Sequence, residues 1–157
     1  MTTRQTHIEQ NKSVVHRYYE EVANAATADS ASASADRLLS NDFTFYPPNA
    51  AEGEQGLDNH KGFLHWHHGV APDQHWTAEE IIAEGDKVAV LFTTRGTQQG
   101  EFGGVAPSGK SFTLRGMDLF RIAGGKITEL RRNFDVMAMM EQIGANAPAE
   151  QAEDKSG

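Results

Sequence analysis

From Gln74 onward the chain is a succession of four strand-like segments joined by short turn signals, and that pattern leaves few folds open. Residues 74–83, 87–95, 111–122 and 126–134 alternate apolar and polar side chains in the period of a half-buried strand. The joints are EGD at 84–86, the glycine-rich GEFGGVAPSG at 100–109 and AGG at 123–125. Helical spacing dominates what comes before. In HIEQNKSVVHRYYEEVAN the residues Ile8, Val14, Val15, Tyr18, Tyr19 and Val22 recur every three or four positions. ATADSASASAD, at 26–36, reads as a loop, followed by a helical turn at 37–39 and a strand, DFTFY, at 42–46 that Pro47 and Pro48 stop. After a loop at 50–56, residues 57–69 read as a second helix with Phe63, Leu64 and Trp66 as apolar members. Helices first and an antiparallel meander after them define an α+β protein with the helices on one face of a curved sheet.

The 157 residues suffice for one domain with a core of its own. We expect a flexible N-terminus over 1–11, a single domain over 12–144 and a disordered, anchor-free tail, ANAPAEQAEDKSG, from Ala145. No apolar run approaches the ~20 residues that span a bilayer, and MTTRQTHIEQ is not a secretory signal. A net charge of -8 argues against a nucleic-acid partner. Cysteine is absent, which excludes disulfides and thiol chemistry and leaves only His and carboxylates for a metal. The expectation is a cytoplasmic protein with neither cofactor nor metal.

Chemistry concentrates near the C-terminus. Asp135 sits where the strand KITELRRNF ends and the helix VMAMMEQIG begins. Strand alternation puts Ile127, Glu129, Arg131, Asn133 and Asp135 on one face and Thr128, Leu130, Arg132 and Phe134 on the other. If the first face lines a cavity, Asp135 is a proton shuttle flanked by Arg131 and Asn133, because burial brings a carboxyl toward neutrality. If instead Leu130 and Phe134 make the core, Asp135 is an N-cap. Asp118, among Phe112, Leu114 and Phe120 on the preceding strand, is a second candidate carboxylate, or else the partner of Arg95 or Arg131. Five of the seven histidines, His60, His65, His67, His68 and His75, fall within sixteen residues. His65 and His68 lie one turn apart, but no HExxH-like arrangement accompanies them, so imidazoles at a pocket mouth are the better reading. The glycine-rich segment lacks the frame of a phosphate loop, and no GxSxG marks a nucleophile.

IIAEGDKVAV, GTQQGEF, APSGK, RGMDLFRIAGGKITE and Asp135 with VMAMMEQIG, in this order and preceded by NKSVVHRYYEEVAN, resemble the SnoaL-like polyketide cyclase (ester cyclase) family from Lys12 to Gly144. The resemblance implies the cone-shaped α+β barrel first described for nuclear transport factor 2, with a pocket inside a strongly curved, mixed but mostly antiparallel sheet. It implies cofactor-free acid/base chemistry, an intramolecular aldol closure or isomerisation of a small hydrophobic carbonyl compound, with the catalytic Asp landing on Asp135. Substrate-binding candidates are then Arg131, Asn133, Asp118, His65, Trp66, Tyr46 and Phe102. The sequence departs from the family where a usual Trp is Arg131, the His of GTHxGEF is Gln98 and a further His is Tyr46. Relatives of this fold also include hydrolases and plain binders, so a hydrophobic-ligand binder, or a hydrolase or hydratase in which Asp135 activates water, are the alternatives. The resemblance further implies a homodimer through the outer sheet face, with Leu91, Thr93, Thr113, Leu130 and Arg132 as contact positions.

Overall fold

The computed structural model describes residues 2–144, and the tail expectation therefore lies outside the described residues. The first helix, α1 (Thr3–Tyr18), begins inside the stretch 1–11 that was expected to be flexible. Thr2 and Gln5 form a capping box, each side chain bonding the other's backbone N–H, which gives this end a start signal of its own. The helix widens into a π-helical turn, Tyr19–Ala23. Successive residues of an α-helix point about 100° apart, and the wider turn brings both Tyr18 and Tyr19 against Phe120, with ring centroids 5.3 and 5.9 Å away.

The small-residue stretch read as a loop is a helix, α2 (Ala28–Leu38). Thr27 caps it by accepting from the Ser30 N–H, and Ala31, Ser34, Ala35 and Leu38 are buried at helical spacing. Small side chains hid that period, because alanine and serine carry little hydrophobic contrast. The remaining elements are β1 (Leu39–Tyr46), β2 (Glu54–Gln55), α3 (Leu57–Val70), β3 (His75–Glu84), β4 (Lys87–Thr97), β5 (Ser111–Ala123), β6 (Lys126–Phe134) and α4 (Val136–Gln142).

The sheet order is β2-β1-β6-β5-β4-β3, antiparallel except for β1 against β6. Three register shifts shape it, one of them in β1, between Leu39 and Thr44 against β6. In β6, Arg121 faces Glu129 while the next residue, Ile122, faces Ile127, so Thr128 is an extra residue and the side-chain parity flips there. In β3 the register slips between Ala78 and Glu80. Each bulge adds twist, curling the sheet around the helices. The main core lies inside that curl, with Phe43, Phe45, Val88, Val90, Phe92, Phe120, Ile127 and Leu130 meeting Val15, Tyr18, Tyr19, Leu38 and Leu64. A smaller apolar cluster, Val70, Ala71, Phe112, Leu114, Met139 and Ile143, closes one end beneath α4. The Gln142 amide fastens that helix to the edge of β5, accepting from Thr113 N–H at 2.7 Å and donating to its carbonyl at 3.0 Å.

Gly116 marks the narrowest crossing between β4, β5 and β6. A Cβ there would stand 2.3 Å from the Asn133 carbonyl oxygen and 2.5 Å from the Phe92 ring. Gly116→Ala should therefore cost about 1–3 kcal/mol by overpacking, read as a lowered urea midpoint at unchanged slope. A midpoint equal to wild type would mean that the strands are less closely spaced than described.

Candidate active site

The bulge at Thr128 decides which side chains of β6 face inward. Leu130 and Arg132 are buried, whereas Arg131, Asn133 and Asp135 are exposed. The face expected to line a cavity is thus the outer one, and the alternative reading of that strand holds. Asp135 accepts the Ala138 N–H at 3.0 Å and caps α4. Arg131 pairs with Glu129 at 3.1 Å and lies 3.8 Å over the Tyr46 ring, outside the curl. Asn133 lines the same outer groove as Arg131. His65 is exposed too, bonded to the Lys61 carbonyl and facing Asp29 at 3.3 Å. Of the eight expected site residues, Trp66 and Phe102 line the interior cavity, and Asp118 stands behind its wall.

That cavity has a volume of about 210 Å³ and opens between β1, α3, the 100–109 loop and the end of β6. Its walls are largely aromatic: Phe45, Phe63, Trp66, Trp76, Phe102 and Phe134. Two polar groups interrupt them, Arg132 and His67.

Arg132 is 4% exposed and would be untenable there without a partner. Asp118 supplies it bidentately: Arg132 Nε donates to Oδ1 at 2.8 Å and Nη2 to Oδ2 at 3.0 Å. Tyr19 Oη donates to the same Oδ2 at 2.5 Å, which is what the π-helical turn places it to do. Burial works against the guanidinium's charge, but the facing Asp118 carboxylate outweighs it and holds the arginine pKa above its ordinary value. Burial, then the adjacent Asp118, push the Tyr19 phenol up, so it stays a donor at any ordinary pH. The buried Tyr18 hydroxyl also lies beside the guanidinium, which works against the burial that pushes this phenol up. The Arg132 Cζ stands 4.3 Å over the Trp76 ring, which fixes the plane of the fork.

His67 stacks on Phe63 with centroids 5.4 Å apart and 20° between planes, and leans on Trp76 at 5.6 Å. Burial, and after it the Arg132 cation, push its pKa down to about 3. His60, one face of α3 further back, is buried among Phe43, Phe45 and Phe63 with both ring nitrogens unpartnered among the described residues, and burial pushes it down to about 3 as well. Both rings are therefore neutral at physiological pH. Among the described residues no group of His and carboxylates is arranged to hold a metal.

Sequence reasoning missed Arg132 as a site residue and reached His67 only as one of five imidazoles, one or two of which were expected at a pocket mouth. The spacing of Ile127 and Leu130, two apolar residues three apart in one strand, was the available sign of a bulge, and following it would have turned Arg132 inward. Asp118 was read either as a second functional carboxylate or as a partner of Arg95 or Arg131; its partner is Arg132, the neighbour of Arg131 in sequence.

A curled α+β sheet with its helices packed inside the curl is the cone-shaped fold of nuclear transport factor 2, and here it encloses an aromatic cavity with one neutralised arginine. The pattern of the SnoaL-like polyketide cyclase family matches residues 13–143, and the chain belongs to that family. Among solved structures, a candidate SnoaL-like polyketide cyclase of Jannaschia sp. CCS1 is 24% identical, with a TM-score of 0.80 over 92% of this chain and 96% of that one. Wild-type IdmH of Streptomyces antibioticus, described as a candidate polyketide cyclase, is 25% identical, with a TM-score of 0.70 over 86% of this chain and 99% of its own. AclR of Streptomyces galilaeus, described as a candidate hydroxylase, shares 21% identity and a TM-score of 0.73 over 87% of this chain and 86% of its own. No curated protein matches the chain.

The two low-pKa histidines have a stability consequence. Their folded pKa values of about 3 lie below the ordinary 6.5, so the unfolded chain takes up protons first as pH falls. Above pH ~6.5 they carry no protonation penalty, and stability is lost between there and pH ~3, by about 1–2 kcal/mol per histidine at pH 5. His60→Leu should remove one proton from that slope and leave stability at pH 7 unchanged or higher, since two orphaned nitrogens disappear. Urea melts at pH 7 and pH 5 test this. A His60→Leu protein weaker at pH 7 with the full acid slope would show that the ring is satisfied by something else.

Proposed function

We propose that the cavity binds a small, apolar carbonyl compound and promotes enolisation at the carbon next to the carbonyl, the first step of an aldol-type closure or an isomerisation. The observation that carries this reading is the pair Arg132 and His67 on one aromatic wall. Arg132 donates to the carbonyl oxygen, and the negative charge that develops there meets a fixed donor needing no rearrangement. His67, neutral at rest, accepts the α-proton. A resting pKa of about 3 makes it a weak base in the empty cavity. In the transition state the new imidazolium faces the new enolate, and at ~4 Å with an effective dielectric of ~20 that attraction is about 4 kcal/mol, equivalent to roughly three pKa units. The proton returns from His67 to carbon in an isomerisation, or to the alkoxide after the enolate has attacked a second carbonyl.

Family membership supports this class of chemistry, and the names of the similar structures point the same way. Asp135, the base expected from the family pattern, is the rival assignment. The two separate cleanly by exchange of the α-protons of 2-tetralone, a bicyclic ketone, in deuterated water. His67→Gln should slow protein-dependent exchange by about 10²–10⁴-fold, while Asp135→Asn should leave it near wild type because Asn caps comparably. The reverse result would return the role to Asp135. Full exchange in both variants would end the acid/base assignment for either residue.

A second copy of the chain is the proposed partner, docking on the outer sheet face. Ile82, Leu91, Met117 and Leu119 are exposed there in neighbouring register, with Leu91 opposite Met117 and Ala89 opposite Leu119. Thr93 and Thr113 are on this face as expected, but Leu130 and Arg132 are buried on the other and drop out as contacts. Met117→Glu should convert a sedimenting dimer into a monomer of 17.2 kDa. A wild-type protein that already sediments as a monomer would refute the pairing.

A further inference from the structure

Behind His67 the cavity continues into a second, smaller chamber of about 30 Å³, lined by Val70, Ala71, Gln74, Thr94, Phe112, Leu114 and Met139. The two spaces share four walls: His67, Trp76, Phe102 and Phe134. Most of the chamber is apolar, but one group in it is out of place. The Gln74 side-chain nitrogen is buried and has no hydrogen-bond partner among the described residues. Its orientation is not free to change. Gln74 Oε1 accepts the Trp76 indole N–H at 2.7 Å, and an indole nitrogen only donates, so a flipped amide would set donor against donor. The amide N–H groups are thereby locked toward an environment that offers them nothing from the protein. Leaving a buried donor unmade costs on the order of 1–3 kcal/mol.

We infer that the chamber is an internal water site, held by the Gln74 amide, the Thr94 hydroxyl and the His67 ring, and that this water sets the tautomer of His67. The space is large enough, since one water needs only about 10–15 Å³ of such volume and two to four polar partners. The water oxygen accepts from Gln74 Nε2–H and from the His67 N–H nearest the chamber, and one of its hydrogens goes to Thr94 Oγ1. Its other hydrogen has no assigned partner. With the ring proton committed to the chamber side, the lone pair of the other nitrogen is turned to the ligand cavity. A base needs that tautomer, and nothing else among the described residues imposes it, because no hydrogen bond to His67 is made by the protein. No bond is formed or broken; one proton is held in place. Gln74 and Thr94 are positioning residues, acting on the ligand only through the water and His67.

The inference rests on the enolisation reading for its meaning, though its test does not require turnover. A high-resolution crystal structure of the full chain should show a density peak within hydrogen-bond distance of Gln74 Nε2 and Thr94 Oγ1. Nitrogen-15 spectra of the histidine rings at pH 7 should show His67 in a single neutral tautomer. Thr94→Val, isosteric and leaving the Gln74–Trp76 bond intact, should lose the peak and turn His67 into a tautomer mixture. Gln74→Leu should do the same if it folds. An empty chamber in wild type, or a single unchanged tautomer in Thr94→Val, would overturn the water site. If the water and tautomer behave as stated but His67→Gln exchanges 2-tetralone protons at the wild-type rate, the enolisation reading fails and the water site stands.

Discussion

The ion pair of Arg132 with Asp118 is the interaction on which the interior of this protein depends. Two charges taken from water into an aromatic core repay their desolvation only with near-ideal geometry and further hydrogen bonds. Here the geometry is bidentate, the second carboxylate oxygen also receives the Tyr19 hydroxyl, and the guanidinium plane lies on Trp76. Each participant comes from a different element: the π-helical turn, β3, β5 and β6. The cluster therefore fixes the depth of α1 over the sheet and the register of β5 against β6 together. A hydrophobic replacement of similar volume could match its stability, as buried ion pairs elsewhere allow. What such a replacement could not supply is a fixed donor on the cavity wall.

The cavity exists because the apolar interior is divided. The main core fills the curl of the sheet, the cluster beneath α4 closes the end, and the cavity lies between them. His67, Trp76, Phe102 and Phe134 stand at that seam. Three of them are carried by well-tied elements, α3, β3 and β6, while Phe102 sits on a short hairpin closed by mutual backbone bonds with Val105. Gln98, fully buried, anchors this hairpin by donating to the Gly100 and Val105 carbonyls and accepting from Ser108 N–H. The family's usual histidine at that position is a glutamine here, and its role is to hold the loop rather than to face a ligand.

Much of the fold was legible because long strands with alternating patterns leave little choice of partner. The four strands after Gln74, the helix at 57–70 and the strand before Pro47 all stand where periodicity put them. Failures came where one residue changes the arithmetic. The extra residue Thr128 reversed inside and outside for the rest of β6, moving Arg131, Asn133 and Asp135 to the surface and Arg132 to the cavity. A pattern read from the C-terminal end of the strand, Leu130-Arg132-Phe134, is correct, and one read from Ile127 is not. The helix α2 was missed for a different reason: its buried face is alanine and serine, which bury little area and give periodicity nothing to act on. His67 was one of five clustered imidazoles, and only the rotation of α3 about its axis distinguishes it from exposed His65 and core-bound His60.

The electrostatics of the site also bear on the proposed proton transfer in a cavity whose lining, among the described residues, includes no carboxylate. Arg132 is neutralised by Asp118, and His60 and His67 are both held uncharged, so the resting cavity carries no net charge for an apolar ligand to desolvate. In the proposed enolisation, charge would appear only during reaction, as an enolate beside the Arg132 fork and an imidazolium beside the enolate. A permanently charged base in the same place would pair with Arg132 and be lost as a base. A neutral imidazole avoids that capture, and the cation that lowers its resting pKa is the same one that stabilises its product partner. In the proposed mechanism the low pKa of His67 is therefore compatible with a catalytic base only when an electron-accepting carbonyl is bound, which would restrict proton abstraction to the occupied cavity.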